Sequence, residues 1–529
     1  MQPSYYADIG AIDISSIDQW QESLDLKVSH REFDEVTKKI IDLWVERSHE
    51  LGYADQRVFL SDGFPFWFNQ IMHAAMIKSR LGAGQKKLLF SALSSGFFEP
   101  DWTQIGSHYQ KTWRSRRCNF RLRSFLKNLR HRQALSFPRQ RNNKNCRALG
   151  IGSNDDLKKK FSEENALVVN HTYPQLIAKA PPPDIEHSKN FKCFVKAFLE
   201  DLFSSVLPDY LGEIPFQKTV IVEALCQRHA FLTWVYRQTL KRKPKMNEKL
   251  LVTEAGKSIH KVISCAWSDA GGSSIGFHHG HHRGETLLKD RTSFEFFAYD
   301  AFVCPNGVTA KAYADQSRAE DPDHSFCKCV FVTSKNENGT SFYTCVEKKT
   351  LVKFNPQKKK SVMLMGFPMT SQVYYGHLGC FWATQLDLHL RVIRRLVAEK
   401  YEVYYKVHPE RVSPTDQIVE KLGAKVLYGN IEESKFSPDI TLITYSSTSS
   451  LPTVLRSGSP VIFINCHHQD WDKHYLEALK KRCFVFNAEL KNEGQIAFDE
   501  KLLSEVLSRN EFEHWDSYIN AFYCEPFSE

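Results

Sequence analysis

Three runs decide how this chain is read: Val362-Met-Leu-Met365 ending at Gly366, Val403-Tyr-Tyr-Lys-Val407 followed by His408-Pro-Glu410, and Asp439-Ile-Thr-Leu-Ile-Thr444 followed by Tyr445-Ser-Ser-Thr-Ser-Ser450. Each apolar run is too short for a buried helix and is rich in aliphatic and aromatic residues, as a buried strand requires. Helical patterns fall between them, at Leu386–Lys400, Asp416–Leu422 and Leu451–Arg456, and further short runs follow at Lys425–Leu427 and Val461–Ile464. This alternation predicts a parallel sheet covered by helices on both faces. Ligands of such sheets bind beyond the carboxyl ends of the strands. Gly366, His408, Ser446, Ser447 and Thr448 are all expected at that edge. A turn rich in hydroxyls before a helix suits a phosphate, and a histidine can donate to a phosphate oxygen. Lys406 adds a cation, although strand alternation can turn it elsewhere. A simple N-cap is the plainer use of a Ser/Thr cluster at that place.

Outward from these runs, Gln357–Lys360 marks a boundary between residues 1–356 and 357–529. The first part repeats the strand, turn and helix grammar of α/β proteins. Strands are predicted at Arg57–Ser61, Ala166–Asn170, Leu250–Thr253, Ser274–Phe277 and Phe296–Cys304, and helices at Thr219–Leu240 and Lys257–Ser268. Asp315–Val352 reads as polar and turn-rich. A basic insertion occupies about 112–147, with Arg114, Arg116, Arg117, Arg121, Arg123, Lys127, Arg130, Arg132, Arg139, Arg141, Lys144 and Arg147 between aromatic and leucine residues.

A second concentration of chemistry lies in Phe277-His-His-Gly-His-His-Arg-Gly-Glu285, directly after a predicted strand. His279 is a candidate general base toward an acceptor hydroxyl. Gly280 and Gly284 let the loop close around a ligand, and Arg283 adds a cation. Glu295 is a weaker base candidate or an orienting group for the histidine. Asp62, in the turn Asp62-Gly-Phe-Pro65, is a rival base at a predicted strand end. Histidines this close in one loop rarely converge on a single ion, and the chain has no Cys-x-x-Cys, so no metal site is assigned. Asp321-Pro-Asp323 and Asp470-Trp-Asp472 match a short metal-binding pattern that is common by chance.

Hydrophobic residues make up 42% and charged residues 25%, as is ordinary for a globular protein, so disorder is not the default reading. The formal charge of +9 favours an acidic partner. For the basic insertion three readings stand: a solvated face, an anionic membrane surface and nucleic acid, the last supported by charge alone. Of these, peripheral contact with an anionic membrane through Arg114–Arg147 is the partner expected here, with no nucleic acid; the resemblance described below implies two more, a nucleotide-activated sugar and a glycan or glycolipid acceptor. The 13 dispersed cysteines read as reduced thiols. No run approaches the roughly 20 apolar residues of a membrane span, and Met1–Ser16 lacks the pattern of a signal peptide. A cytoplasmic protein, peripheral at the inner membrane face, is expected.

The order His279-Gly280, His408-Pro409, Ser446-Ser447-Thr448 resembles GT-B transferases of bacterial surface polysaccharide synthesis. These include polysialyltransferases and related sialyltransferases, capsule Kdo transferases and CDP-glycerol glycerophosphotransferases. The loop His279-Gly280-His-His-Arg-Gly284 is similar to that of further surface-carbohydrate transferases. The resemblance spans about residues 250–465 and implies two Rossmann-like domains facing each other across a cleft. It implies that His408, Ser446 and Ser447 hold the donor phosphate and that His279 is the base. The acidic pair before glycine found in the sialyltransferases is reduced here to Ser61-Asp62-Gly63. The ribose-binding glutamate of many UDP-sugar enzymes is absent from Leu451-Pro-Thr-Val-Leu-Arg456, which favours a CMP- or CDP-linked donor. The implied activity is inverting, metal-independent and without cofactor. A glycerophosphotransferase, a sugar-nucleotide epimerase and a non-catalytic protein docking on anionic surfaces are the alternatives.

Overall fold

The computed structural model describes residues 13–22, 30–65, 147–152, 168–171, 188–207, 218–244, 248–253, 255–278, 295–304, 307–323, 327–333, 349–369, 380–408, 415–429, 436–445, 450–466, 473–491 and 495–515, with residues 5–6, 68–69, 72, 76, 88–89, 374–375, 431 and 471. It is an α/β protein with two six-stranded parallel sheets. The first is built from β1 (Arg147–Ile151), β2 (Val168–His171), β3 (Lys249–Val252), β4 (Ser273–Phe277), β5 (Ala301–Cys304) and β6 (Val330–Thr333), in the order β2-β1-β3-β4-β5-β6. Its helices include α1 (Ile17–Glu22), α2 (His30–Ser48), α3 (Tyr53–Asp62), α4 (Lys189–Asp201), α5 (Lys218–Leu240), α6 (Ser258–Asp269) and α7 (Gly307–Glu320).

A two-stranded antiparallel ribbon then joins β7 (Lys349–Lys353) to the late strand β14 (Glu511–Trp515). The second large sheet contains β8 (Ser361–Met365), β9 (Glu402–Lys406), β10 (Lys425–Leu427), β11 (Ile440–Ile443), β12 (Val461–Asn465) and β13 (Phe484–Asn487). Its order is β10-β9-β8-β11-β12-β13. Around it lie α8 (Trp382–Ala398), α9 (Thr415–Lys421), α10 (Leu451–Arg456), α11 (Lys473–Arg482) and α12 (Glu500–Ser508). Central strands β8, β11 and β12 are buried along their whole length, as continuous apolar runs in a doubly covered sheet must be. Edge strand β10 is exposed or half-buried instead.

Each sheet is tied at its amino edge by an aspartate. Asp439, just before β11, accepts from the N–H (2.7 Å) and hydroxyl (2.8 Å) of Ser361 at the start of β8. Asp300, just before β5, accepts from the Ser274 N–H (2.7 Å) and Ser268 hydroxyl (2.7 Å). The two halves also share buried surface. Trp20 of α1 stacks on Trp382 of α8 with centroids 5.8 Å apart, and Gln21 donates to the Asp387 carboxylate at 2.7 Å. His30 accepts from the N–H of Phe381, the residue capping α8, at 3.2 Å.

Four sequence expectations are corrected. Arg57–Ser61 is part of helix α3, not a strand. The run Val58-Phe-Leu60 cannot distinguish a buried strand from a buried helix by periodicity. Here all three residues are buried, and Phe59 sits among Phe191, Phe194 and Phe198 of α4. Phe296–Ala298 is a short 3-10 turn, and the strand begins only at Ala301. Asp315–Val352 is not all turn, since it holds the end of α7, β6 and part of β7. Arg147 does not close a basic insertion but opens β1. The remainder of the basic segment lies outside the described residues.

Candidate functional site

The second sheet reverses its direction of growth between β8 and β11, and that is the switch point at which open α/β sheets take ligands. Gly366 leaves β8 there. Its N–H donates to the Lys406 carbonyl at 2.8 Å, and its carbonyl accepts from the Tyr445 hydroxyl at 2.9 Å. A Cβ at Gly366 would lie 2.7 Å from the Lys406 carbonyl oxygen and 3.0 Å from the Tyr405 ring. Glycine therefore allows the ends of β8 and β9 to approach closely. Phe367 meets the Tyr445 ring edge-on at 5.2 Å.

His408 follows β9 and is half-buried at the same edge. Lys406 is buried, and its ammonium donates to the carbonyls of Val407 (3.1 Å) and Gly429 (2.5 Å). That ties the ends of β9 and β10 together, a structural use of the charge beside its expected role toward a donor. Ser446, Ser447 and Thr448 lie outside the described residues, but Thr444 and Tyr445 before them are buried at the end of β11. The helix that follows them in sequence, α10, has only 6 residues, so its dipole is small. The longer helix at the edge is α8, with 17 residues.

Sequence reasoning missed the polar group beneath this edge. His389 and Gln385, one turn apart on α8, are fully buried. The Thr444 hydroxyl donates to Gln385 Oε1 at 3.0 Å, His389 Nε2 lies 2.8 Å from Thr444 Oγ1, and His389 Nδ1 lies 3.1 Å from the Tyr405 hydroxyl. A hydroxyl has one proton. Thr444 gives it to Gln385 and so accepts from His389, which fixes the hydrogen on Nε2 and leaves Nδ1 to accept from Tyr405. Burial pushes the His389 pKa down to about 3, so the ring is neutral. The only sequence signal was Gln385 and His389 four residues apart inside an apolar helix.

In the first sheet the reversal lies between β1 and β3. Gly152 leaves β1 with φ +93°, and a Cβ there would lie 2.2 Å from the Thr253 carbonyl oxygen. Leu149-Gly-Ile-Gly152 carried that signal, unread. Asp62 is not at a strand end. It is the buried last residue of α3, and its carboxylate accepts from Arg228 Nε of α5 at 2.7 Å. Its carbonyl accepts from the hydroxyl of Ser258, the first residue of α6, at 2.8 Å. A carboxylate so engaged is poorly placed to take a proton from a hydroxyl. Glu295 is also buried, not on the surface. Fully buried Lys261 of α6 feels both carboxylates. Burial pushes its pKa down to about 8, against the opposing pull of Glu295 and Asp62. Asp62, Arg228, Lys261 and Glu295 form a charge-balanced cluster.

His278, the residue after β4, is buried, its N–H donating to the Val303 carbonyl at 3.1 Å. His279, Gly280, Arg283 and Gly284 lie outside the described residues. Asp321 accepts from the Cys327 N–H at 2.8 Å, and Asp470 and Asp472 lie outside the described residues. Among the described residues, no group of three or more His, Cys, Asp or Glu side chains is arranged to hold a metal ion. Also among them, no helix is long and apolar enough to cross a membrane.

Compared with known proteins, the chain matches no family model and no curated protein.

Proposed function

We propose that the protein is a GT-B glycosyltransferase that moves a sugar from a nucleotide donor, a CMP-sugar by preference, onto a surface-glycan acceptor. One observation carries the reading: the second sheet has the order β10-β9-β8-β11-β12-β13, and the sequence motifs follow the strands at its switch point. Gly366 follows β8, His408 follows β9, and the Ser/Thr-rich segment after Tyr445 follows β11 in sequence. A second six-stranded parallel sheet in the same chain is compatible with the other domain of this fold, and in this reading the two domains would face each other across a cleft.

In this mechanism an acceptor hydroxyl, held by the first domain, attacks the anomeric carbon with inversion. His279 accepts the hydroxyl proton. Asp62 and Glu295 support the first domain from within their buried cluster, a role better suited to their partners than that of base. The departing phosphate gains negative charge, which His408 and the hydroxyls of Ser446, Ser447 and Thr448 stabilise. Donors already in position act most strongly where such charge develops. No metal ion is assigned a role.

Incubation with CMP-sugars, CDP-glycerol and UDP-sugars, with and without chelator, tests the proposal. Acceptor-dependent release of CMP from a CMP-sugar, with the sugar found on the glycan, supports it. Release of glycerophosphate-linked product would make the protein a glycerophosphotransferase. Conversion of a nucleotide sugar without acceptor would make it an epimerase. Activity lost in chelator and restored by Mg²⁺ or Mn²⁺ would overturn the metal-independent mechanism.

A further inference from the structure

We infer that His389 is a positioning residue: through Thr444 and Tyr405 it locks the carboxyl ends of β11 and β9 to helix α8, and so sets the spacing between His408 and the chain leaving Tyr445. The inference rests on the nucleotide-site reading for its ligand, but its mechanical part stands without any ligand.

The geometry has three parts. Gln385 and His389 project from one side of α8 into the layer beneath the sheet edge, where His389, Gln385, Thr444 and Tyr405 are each at most 1% exposed. The hydrogen bonds run in one direction, from Tyr405 to His389 Nδ1, from His389 Nε2 to Thr444, and from Thr444 to Gln385. Each link requires the one before it, because each hydroxyl has a single proton to give. Finally, the anchored residues are those next to the candidate motif. Thr444 lies two residues before Ser446, and Tyr405 lies three before His408.

An apolar side chain would fill this layer as readily. Buried polar groups cost stability unless fully satisfied, but when satisfied they select one arrangement. Leucine at position 389 could slide past its neighbours, whereas the histidine holds two strand ends at 2.8 and 3.1 Å. The Gly366 contacts add a third tie at the same edge, from β8 to β9 and to Tyr445. A phosphate held between His408 and the chain leaving Tyr445 would feel a change of a few tenths of an ångström in their spacing, since hydrogen bonds weaken steeply outside their narrow range.

Four proteins test this: wild type, His389→Leu, His389→Gln and a control, Leu503→Ala. Leu503 is fully buried in the apolar cluster of the second sheet but lies on α12. Glutamine keeps a donor and an acceptor at position 389. Hydrogen exchange at the carboxyl ends of β9 and β11 is followed without ligand, and dissociation constants for CMP and CDP are measured beside the melting temperatures. The expected result for His389→Leu is exchange at least tenfold faster at both strand ends and nucleotide binding at least tenfold weaker. His389→Gln is expected to return within about threefold of the wild type, and Leu503→Ala to lose melting temperature with binding unchanged. Unchanged exchange in His389→Leu overturns the inference. So does a loss of affinity in Leu503→Ala that matches that of His389→Leu, because the effect then tracks stability alone. Faster exchange in His389→Leu with wild-type nucleotide affinity also overturns it. If exchange quickens while even the wild type binds no nucleotide, the lock stands and the transferase reading fails.

Discussion

Replacing Gly366 by alanine perturbs the candidate site by one methyl group whose surroundings are known. The added Cβ would sit 2.7 Å from the Lys406 carbonyl oxygen and 3.0 Å from two carbons of the Tyr405 ring. Neither neighbour can easily give. The carbonyl belongs to a strand bonded on both sides, and the Tyr405 ring is buried with its hydroxyl 3.1 Å from His389 Nδ1. Overpacking of this kind costs about 1–3 kcal/mol. If the second half of the chain melts as its own unit, each kcal/mol lowers the melting temperature by about 2–4 °C, giving a fall of about 2–12 °C. Relaxation would push the ends of β8 and β9 apart, stretching the 2.8 Å bond from Gly366 to Lys406 and moving His408. Calorimetry and nucleotide titration should therefore report a destabilised protein with weakened binding. Gly256→Ala is the control, since a Cβ there meets nothing described within 4 Å. If Gly366→Ala melts and binds like the wild type, glycine is not needed for the close approach and the reasoning fails.

Other predictions follow from particular contacts. Tyr445→Phe removes the 2.9 Å hydrogen bond to the Gly366 carbonyl and should cost about 1 kcal/mol in urea denaturation. Arg228→Met removes the 2.7 Å ion pair to the buried Asp62 carboxylate and should destabilise the first half of the chain by about 3–5 kcal/mol, with Asp62→Asn in the same background recovering part of the loss. Burial lowers the pKa of His389 to about 3 and that of His229 to about 4 from an ordinary 6.5. Below pH 6.5 the unfolded chain binds these protons and the folded chain does not. Their contribution is thus fully present above pH 6.5 and is lost as pH falls toward those lower values. His389→Gln should flatten this acid limb by up to about 1.4 kcal/mol per pH unit, as read from denaturation between pH 6.5 and 4.

The second sheet was legible because its strands are short, apolar and separated by clear helical patterns, so that Val362–Met365, Val403–Val407 and Asp439–Thr444 could be placed nearly to the residue. Among the described residues of the first half, 57–63 were less legible. Val58-Phe-Leu60 is a continuous apolar run because the second half of α3 is buried, and enclosure erases the period that marks a helix. Asp62 looked like a turn residue because Gly63 follows it, and indeed Gly63 has φ 73°. That glycine caps a helix; it does not end a strand. The candidate motifs were visible because they follow runs that read as strands in the sequence. Their supports were not, since His389, Lys261 and Arg228 gain meaning only from residues distant in sequence. A lone histidine in an apolar helix gives no hint that it joins β9 to β11.

The most direct test of the account is thermal stabilisation by CMP, CDP, UDP and GDP, run on the wild type and on His408→Ala. A ligand that binds only the folded chain raises the melting temperature, by an amount equivalent to about 2.7 kcal/mol at one hundred times its dissociation constant. The account predicts stabilisation by cytidine nucleotides over the others, and its loss in His408→Ala without a comparable fall in the ligand-free melting temperature. Stabilisation by none of the four nucleotides, or stabilisation by CMP that survives intact in His408→Ala, would contradict it.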